Sequence, residues 1–115
     1  FGFKHTHPED ADYIFDVRFL PNPHWEEKLQ KFNGTEQPII DYLESFPLVK
    51  QTINQIESLF QSWLPHLEDN NRNYVTIAIG CTGGKHRSVY LTEQVAARFN
   101  HKYQVQIEHK CLNAK

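Results

Sequence analysis

Apolar residues along this chain recur at two spacings, and each spacing marks a kind of element. Val49, Ile53, Ile56, Leu59, Phe60, Trp63 and Leu67 fall three or four residues apart. That stripe predicts a long helix through "PLVKQTINQIESLFQSWLPHL", with a bend or an early end at Pro65. A second helical period runs from about Lys85 to Asn100, with Val89, Val95, Ala96 and Phe99 on one side. Thr35, after the loop "KFNGTEQ", is placed to cap a helix reaching about Phe46.

The other spacing is that of strands. "YIFDVRF" (13–19) has strand composition and stops where Pro21 and Pro23 forbid a central strand. "YVTIAI" (74–79) reads as a buried strand after the turn cluster "EDNNRN" (68–73). "YQVQIEH" (103–109) alternates, so Val105 and Ile107 share one face of a predicted last strand. Strand, helices, strand, helix, strand is an α/β order, which favours a mostly parallel sheet covered by helices. Ligands in such sheets bind beyond the carboxyl ends of the strands. Both "DVRFLPNPH" and "GCTGGKHR" stand at such ends.

Length and composition narrow the class. The 115 residues make one domain (1–115), with 39% hydrophobic and 23% charged residues as in ordinary soluble proteins. No apolar run approaches the roughly 18 residues needed to cross a bilayer. The chain opens on Phe1 and holds no Met, as expected of a piece of a longer protein. Cys81 and Cys111 are too few for a disulfide framework, so a reduced, cytoplasmic setting is expected. Twelve Lys and Arg against 14 Asp and Glu give a formal charge of −2, so any basic surface is local.

The segment "IGCTGGKHRS" (79–88) carries the densest chemistry. Gly80, Gly83 and Gly84 let the backbone turn tightly and approach a ligand. The free N–H groups at the start of the following helix favour an anion. Lys85, His86 and Arg87 add positive charge, Arg87 can grip a phosphate with paired hydrogen bonds, and Thr82 and Ser88 add hydroxyls. An Arg87→Ala variant is expected to lose ligand without unfolding.

Two phosphate-loop patterns can be tested on this segment. The Walker A pattern fails: the glycine spacing is one residue short, and His86 stands where a hydroxyl is required. Cys81, five residues, Arg87 and Ser88 do match the C-x5-R-[ST] loop of cysteine-dependent phosphatases, with Asp16 as a conceivable general acid. The competing reading makes Cys81 a small packing residue at the end of a buried strand. On the other strand end, Asp16, Arg18, Asn22 and His24 fall within nine residues, with Asp16 and Arg18 on one face. They are either an ion pair and a rigid turn or part of the same anion site. His5, His7, His66 and His101 show no metal-ligand spacing, so no metal and no cofactor are expected. His109, Lys110 and Lys115 form a mildly basic end.

The stretches "ADYIFDVRFLPNPHW" and "LPHLEDNNRNYVTIAIGCTGGKHRSVYLTEQVA", with the opening "FGFK", closely resemble the C-terminal domain of the RapZ family of RNase adapters. The resemblance covers nearly the whole chain. It implies an α/β domain similar to a phosphofructokinase-like phosphosugar-binding domain, preceded in full-length members by a P-loop kinase-like domain. It also implies a non-enzymatic regulator that binds glucosamine-6-phosphate, binds small regulatory RNA, presents it to an RNase E-like endoribonuclease, and assembles as a homo-oligomer. Transferred by motif, the sugar-phosphate pocket comprises His24, Thr82, Gly83 and Arg87, with Asp16, Arg18, Asn22, Gly84 and Ser88 as neighbours. RNA contact would fall to Lys85, His86, His109, Lys110 and Lys115.

Overall fold

The helical stripe builds the longest element of the computed structural model, which describes residues 1–5, 7–70 and 74–112. Helix α2 spans Pro47–Asp69 and buries Val49, Thr52, Ile53, Ile56 and Phe60. Phe46 at its N-cap is extended and Pro47 takes the first turn, where a missing N–H costs nothing. Pro65 does not end the helix. The carbonyl it would leave unpaired, that of Gln61, belongs to an exposed turn that water can satisfy.

Helix α1 spans Gln37–Glu44, with Glu36 rather than Thr35 at its N-cap. The Thr35 hydroxyl instead donates to Asn33 Oδ1 at 2.6 Å, closing a local turn. Helix α3 spans Arg87–Phe99 and packs against α2 and against the sheet. Tyr90 on α3 ties it to α1, its hydroxyl donating to Glu44 Oε2 at 3.0 Å. Burial and that carboxylate push the Tyr90 phenol up to about 12.

Strands β1 (Tyr13–Asp16) and β2 (Ile77–Gly80) pair in parallel, Tyr13 opposite Ile77 and Asp16 opposite Gly80. Tyr13 and Phe15 turn one face of β1 onto Phe60, with ring centroids 5.2 and 5.8 Å away. β1 stops three residues short of the expected Phe19 because Asp16 captures the Arg18 N–H with Oδ1 at 3.0 Å, and Leu20 N–H turns back to the Val17 carbonyl. β2 starts at Ile77 rather than 74, and Tyr74 lies exposed.

The expected last strand over 103–109 is absent. Residues 104–109 form no regular element, and Gln104–Glu108 have no backbone hydrogen-bond partner among the described residues. Of the expected 68–73 turn, residues 71–73 lie outside the described ones. The described part is therefore an α/β arrangement whose small parallel sheet is covered by helices.

Residues 1–4 take a place on the other edge of β2. Phe1 N donates to the Ile79 carbonyl at 2.9 Å, Phe3 N to Cys81 O at 2.8 Å and Lys4 N to Thr82 O at 3.0 Å. This leading segment lies directly under the glycine loop. Gly84 has φ +74°, and a Cβ there would stand 2.6 Å from Gly2 N and 2.7 Å from Cys111 Sγ. Gly83 faces open space. Gly84→Ala is therefore expected to cost at least about 1–2 kcal/mol, the strain of a left-handed residue bearing Cβ plus the clash. Gly83→Ala should stay within about 0.5 kcal/mol of wild type. Urea titrations of the two variants compare them, and equal effects would contradict this packing.

Candidate functional site

The loop 81–86 joins β2 to α3 at the carboxyl end of the sheet, beside the segment that leaves β1. Arg87 opens α3 but does not face water: it is 3% exposed. Its Nη1 donates to the carbonyls of Arg18 at 2.7 Å and Leu20 at 3.0 Å, and Nη2 lies 3.5 Å from Thr82 Oγ1. Nε is buried with no partner. One edge of the guanidinium is thus committed to the backbone, while Nη2 has only the long contact to Thr82. Arg87→Ala is therefore expected to cost stability as well as ligand, because removing the guanidinium strands two carbonyls. A hydrogen bond to a charged donor contributes about 1.5–3 kcal/mol.

Cys81 and Ser88 face each other inside the loop, 2% and 1% exposed. The Cys81 thiol donates to Ser88 Oγ at 3.3 Å, and Ser88 N–H donates to Cys81 Sγ at 3.4 Å. Burial acts to raise the thiol pKa. The Ser88 hydroxyl and N–H, the Gly84 N–H and the Arg87 charge outweigh it and hold the thiol below its ordinary value. Ser88 is therefore turned toward Cys81 in the interior, away from the place expected of it in a ligand pocket.

His86 is also buried, at 9% exposure, with Nε2 unpartnered. Its place among the RNA-contacting residues is corrected: a ring enclosed by the protein cannot meet a phosphate backbone. Lys85 is exposed, and its carbonyl accepts from Gly34 N–H at 2.8 Å. Gly34 lies so close beneath α3 that a Cβ would stand 2.4 Å from His86 O. Sequence reading placed Gly34 in a loop, and one sequence carries no signal of this contact.

From the first strand end, Asp16 and Arg18 form the expected pair: Nε donates to Oδ1 at 2.9 Å and Nη2 to Oδ2 at 2.6 Å. Arg18 lowers the Asp16 pKa through these bonds, and Arg87 adds a smaller push the same way. The Arg18 guanidinium also stacks 4.1 Å above the Phe3 ring, which joins the leading segment to the site. Asn22 is spent on structure, its Oδ1 accepting from His24 N–H at 3.0 Å to cap the 3-10 turn Pro23–Trp25. His24 is exposed, and Phe19 and Trp25 beside it are 62% and 81% exposed.

The structure thus brings Asp16, Arg18, Thr82 and Arg87 to one end of the sheet, with His24 within electrostatic reach of His86. His109 Nε2 lies 3.7 Å from Glu93, and Lys110 lies 3.8 Å from Glu108, whose carboxylate offsets the lysine's charge. Lys115 lies outside the described residues. No group of three or more His, Cys, Asp or Glu residues is arranged to hold a metal ion among the described residues.

The means to hold an anion remain around the loop. α3 has no side-chain cap at its N-terminus, and among the described residues Gly83, Lys85 and His86 N–H donate to no backbone carbonyl. With the dipole of a 13-residue helix behind them, these donors suit a phosphate or carboxylate.

The sequence profile of a family described as the RapZ C-terminal domain matches residues 1–113. A nucleotide-binding protein of Psychromonas ingrahamii is 74% identical over 112 residues, covering 97% of this chain and 40% of the relative. A nucleotide-binding protein of Shewanella sp. (strain MR-7) is 59% identical over 114 residues, again 40% of its length. One from Shewanella frigidimarina is 57% identical over 115 residues. The chain spans about 40% of the length of these curated relatives.

His86 gives the site a pH signature. Burial lowers its pKa against the upward pull of the Phe32 and Gln30 backbone, and the charges of His24 and Arg87 lower it further. An unfolded histidine protonates near pH 6.5. Between that value and the lower folded pKa the unfolded chain holds more protons, so stability falls on acidification, by at most about 1.4 kcal/mol per pH unit. Melting temperatures at pH 7.5 and 5.5 should show this loss, and His86→Gln should reduce it. An unchanged slope in the variant would assign the pH dependence elsewhere.

Proposed function

The chain belongs to the RapZ C-terminal domain family, and from that premise we propose that it is a non-catalytic regulatory domain that senses a sugar phosphate. The ligand on this reading is glucosamine-6-phosphate, held at the 82–87 loop. The observation that carries it is the uncapped start of α3, with unspent amides at Gly83, Lys85 and His86 beside Arg87 Nη2 and Thr82. His24 and the Asp16–Arg18 pair lie on the neighbouring strand end, where they suit the hydroxyl and amino groups of the sugar. The relatives' names speak of nucleotide binding, and those names describe proteins more than twice as long as this chain.

The same proposal makes the domain part of an RNase adapter in the cytoplasm. As a homo-oligomer it would present a small regulatory RNA to an RNase E-like endoribonuclease. The exposed rings of Phe19 and Trp25 and the exposed Lys85 support RNA contact, since stacking and phosphate pairing are what single-stranded RNA takes. No helix among the described residues is long and apolar enough to cross a membrane.

Titration calorimetry tests the sensor. Glucosamine-6-phosphate should bind more tightly than inorganic phosphate, and Thr82→Val should weaken it about tenfold, near 1.4 kcal/mol, with the melting temperature held. Equal affinity for phosphate alone would refute a sugar-specific pocket.

A second reading is a cysteine phosphatase, favoured by the lowered Cys81 pKa and its bonds to Ser88. The 2% exposure of Cys81 and the commitment of Arg87 Nη1 to carbonyls argue against it. An aryl phosphate should not turn over. Turnover abolished by Cys81→Ser would reverse that ranking.

A further inference from the structure

The backbone of β2 is used on both sides, but unequally. Its even-numbered residues face β1: Tyr13 N donates to Thr76 O at 3.2 Å and Val17 N to Gly80 O at 2.9 Å. Its odd-numbered residues face the leading segment, where Phe1 N reaches Ile79 O at 2.9 Å and Cys81 N reaches Phe1 O at 3.1 Å. By the same alternation, the Ile79 N–H and both backbone groups of Ile77 face that second side. There they have no partner among the described residues.

The chain after α3 has a matching deficit. Tyr103 N is still bonded to Phe99 O at the far end of α3, whereas Cys111 Sγ lies against Gly84 just before its near end. From Gly84 past the end of α3 is on the order of 20 Å at 1.5 Å per residue. The eight steps from Tyr103 to Cys111 reach at most roughly 26–29 Å. Residues 104–109 therefore run largely extended before the turn at 110–112, in the direction of β2, with Val105 and Ile107 alternating against Gln104 and Gln106. Exposed β-branched alternation with unpaired backbone describes a strand that lacks its neighbour.

We propose that the open edge of β2 seats one more parallel strand, formed by the residues immediately before Phe1 in the longer protein, and that Gln104–Glu108 pair with its far side. The occupant is identified by direction. A parallel ladder with Phe1 N on Ile79 O continues backwards only along Ile79 and Ile77. The residue two positions before Phe1 then donates to Ile77 O and accepts from Ile79 N–H. The relatives, of which this chain is 40%, supply the additional length. This inference is independent of the sugar-phosphate reading. It makes the leading segment 1–4, on which Gly83 and Gly84 rest, the end of a central strand rather than a short edge.

Residue-resolved amide hydrogen exchange on the full-length protein tests it, with Ala78, which faces β1, as the internal control. Ile77 and Ile79 should exchange at least about a hundredfold more slowly than unprotected amides, and alternate amides of 104–108 should be slowed as well. A proline two positions before Phe1 loses the N–H that donates to Ile77 O and turns its ring against β2, so the strand should be pushed off and Ile77 and Ile79 should exchange faster while Ala78 keeps its protection. Free exchange at Ile77 and Ile79 beside a protected Ala78 would overturn the proposal, as would protection that survives the proline. Protection that fades on dilution would assign the edge to a second copy and overturn it too.

Discussion

The guanidinium of Arg87 reaches across from the start of α3 to the carbonyls of Arg18 and Leu20, and the geometry of the whole sheet end follows from it. Those carbonyls belong to a segment that has just left β1 and has no ladder to hold it. A fixed cation satisfies both instead, through a part-buried bond to Arg18 and a buried one to Leu20. The bond sets where Asn22, His24 and Trp25 stand relative to the glycine loop. It also leaves the positive charge close to Asp16 and Cys81, whose proton affinities it lowers. A lysine could supply the charge and both donations, but not the second nitrogen that faces Thr82.

Around that tie the elements meet backbone to backbone, with little room for side chains. Gly2 sits against the carbonyl of Gly83, Gly84 against Gly2 N, and Gly34 against the start of α3. These approaches bring three chain segments within one loop of each other. The hydrophobic core joins α1, α2 and α3 to the β1 face that carries Tyr13 and Phe15, and it reaches this end through Val17, Leu20 and Cys81. The loop with its backbone donors thus sits at the rim of the core.

Much of this was legible in the residues. The stripe from Val49 to Phe60 specified α2 because burial follows the helical period, and Gly83-Gly84 before a helix marked the loop. What escaped reading was determined by competition between neighbours. Asp16 was visible as a charge, but not as the group that ends β1 by taking an amide. Arg87 and His86 look like surface cations in the string "KHR", yet one anchors a loop and the other lies inside. The alternation in 103–109 is real, but a strand is a relation between two segments, and among the described residues no segment pairs with it.

The enclosure of Cys81 has a consequence for how the loop can be watched. A thiol at 2% exposure, held by Ser88 and Gly84, is shielded from reagents only while the loop keeps its shape. Whatever moves Gly84 off Gly2 uncovers the sulfur to reagents. The residue that resembles a nucleophile by spacing thereby becomes a native clock: its labelling rate counts the openings of the loop above it.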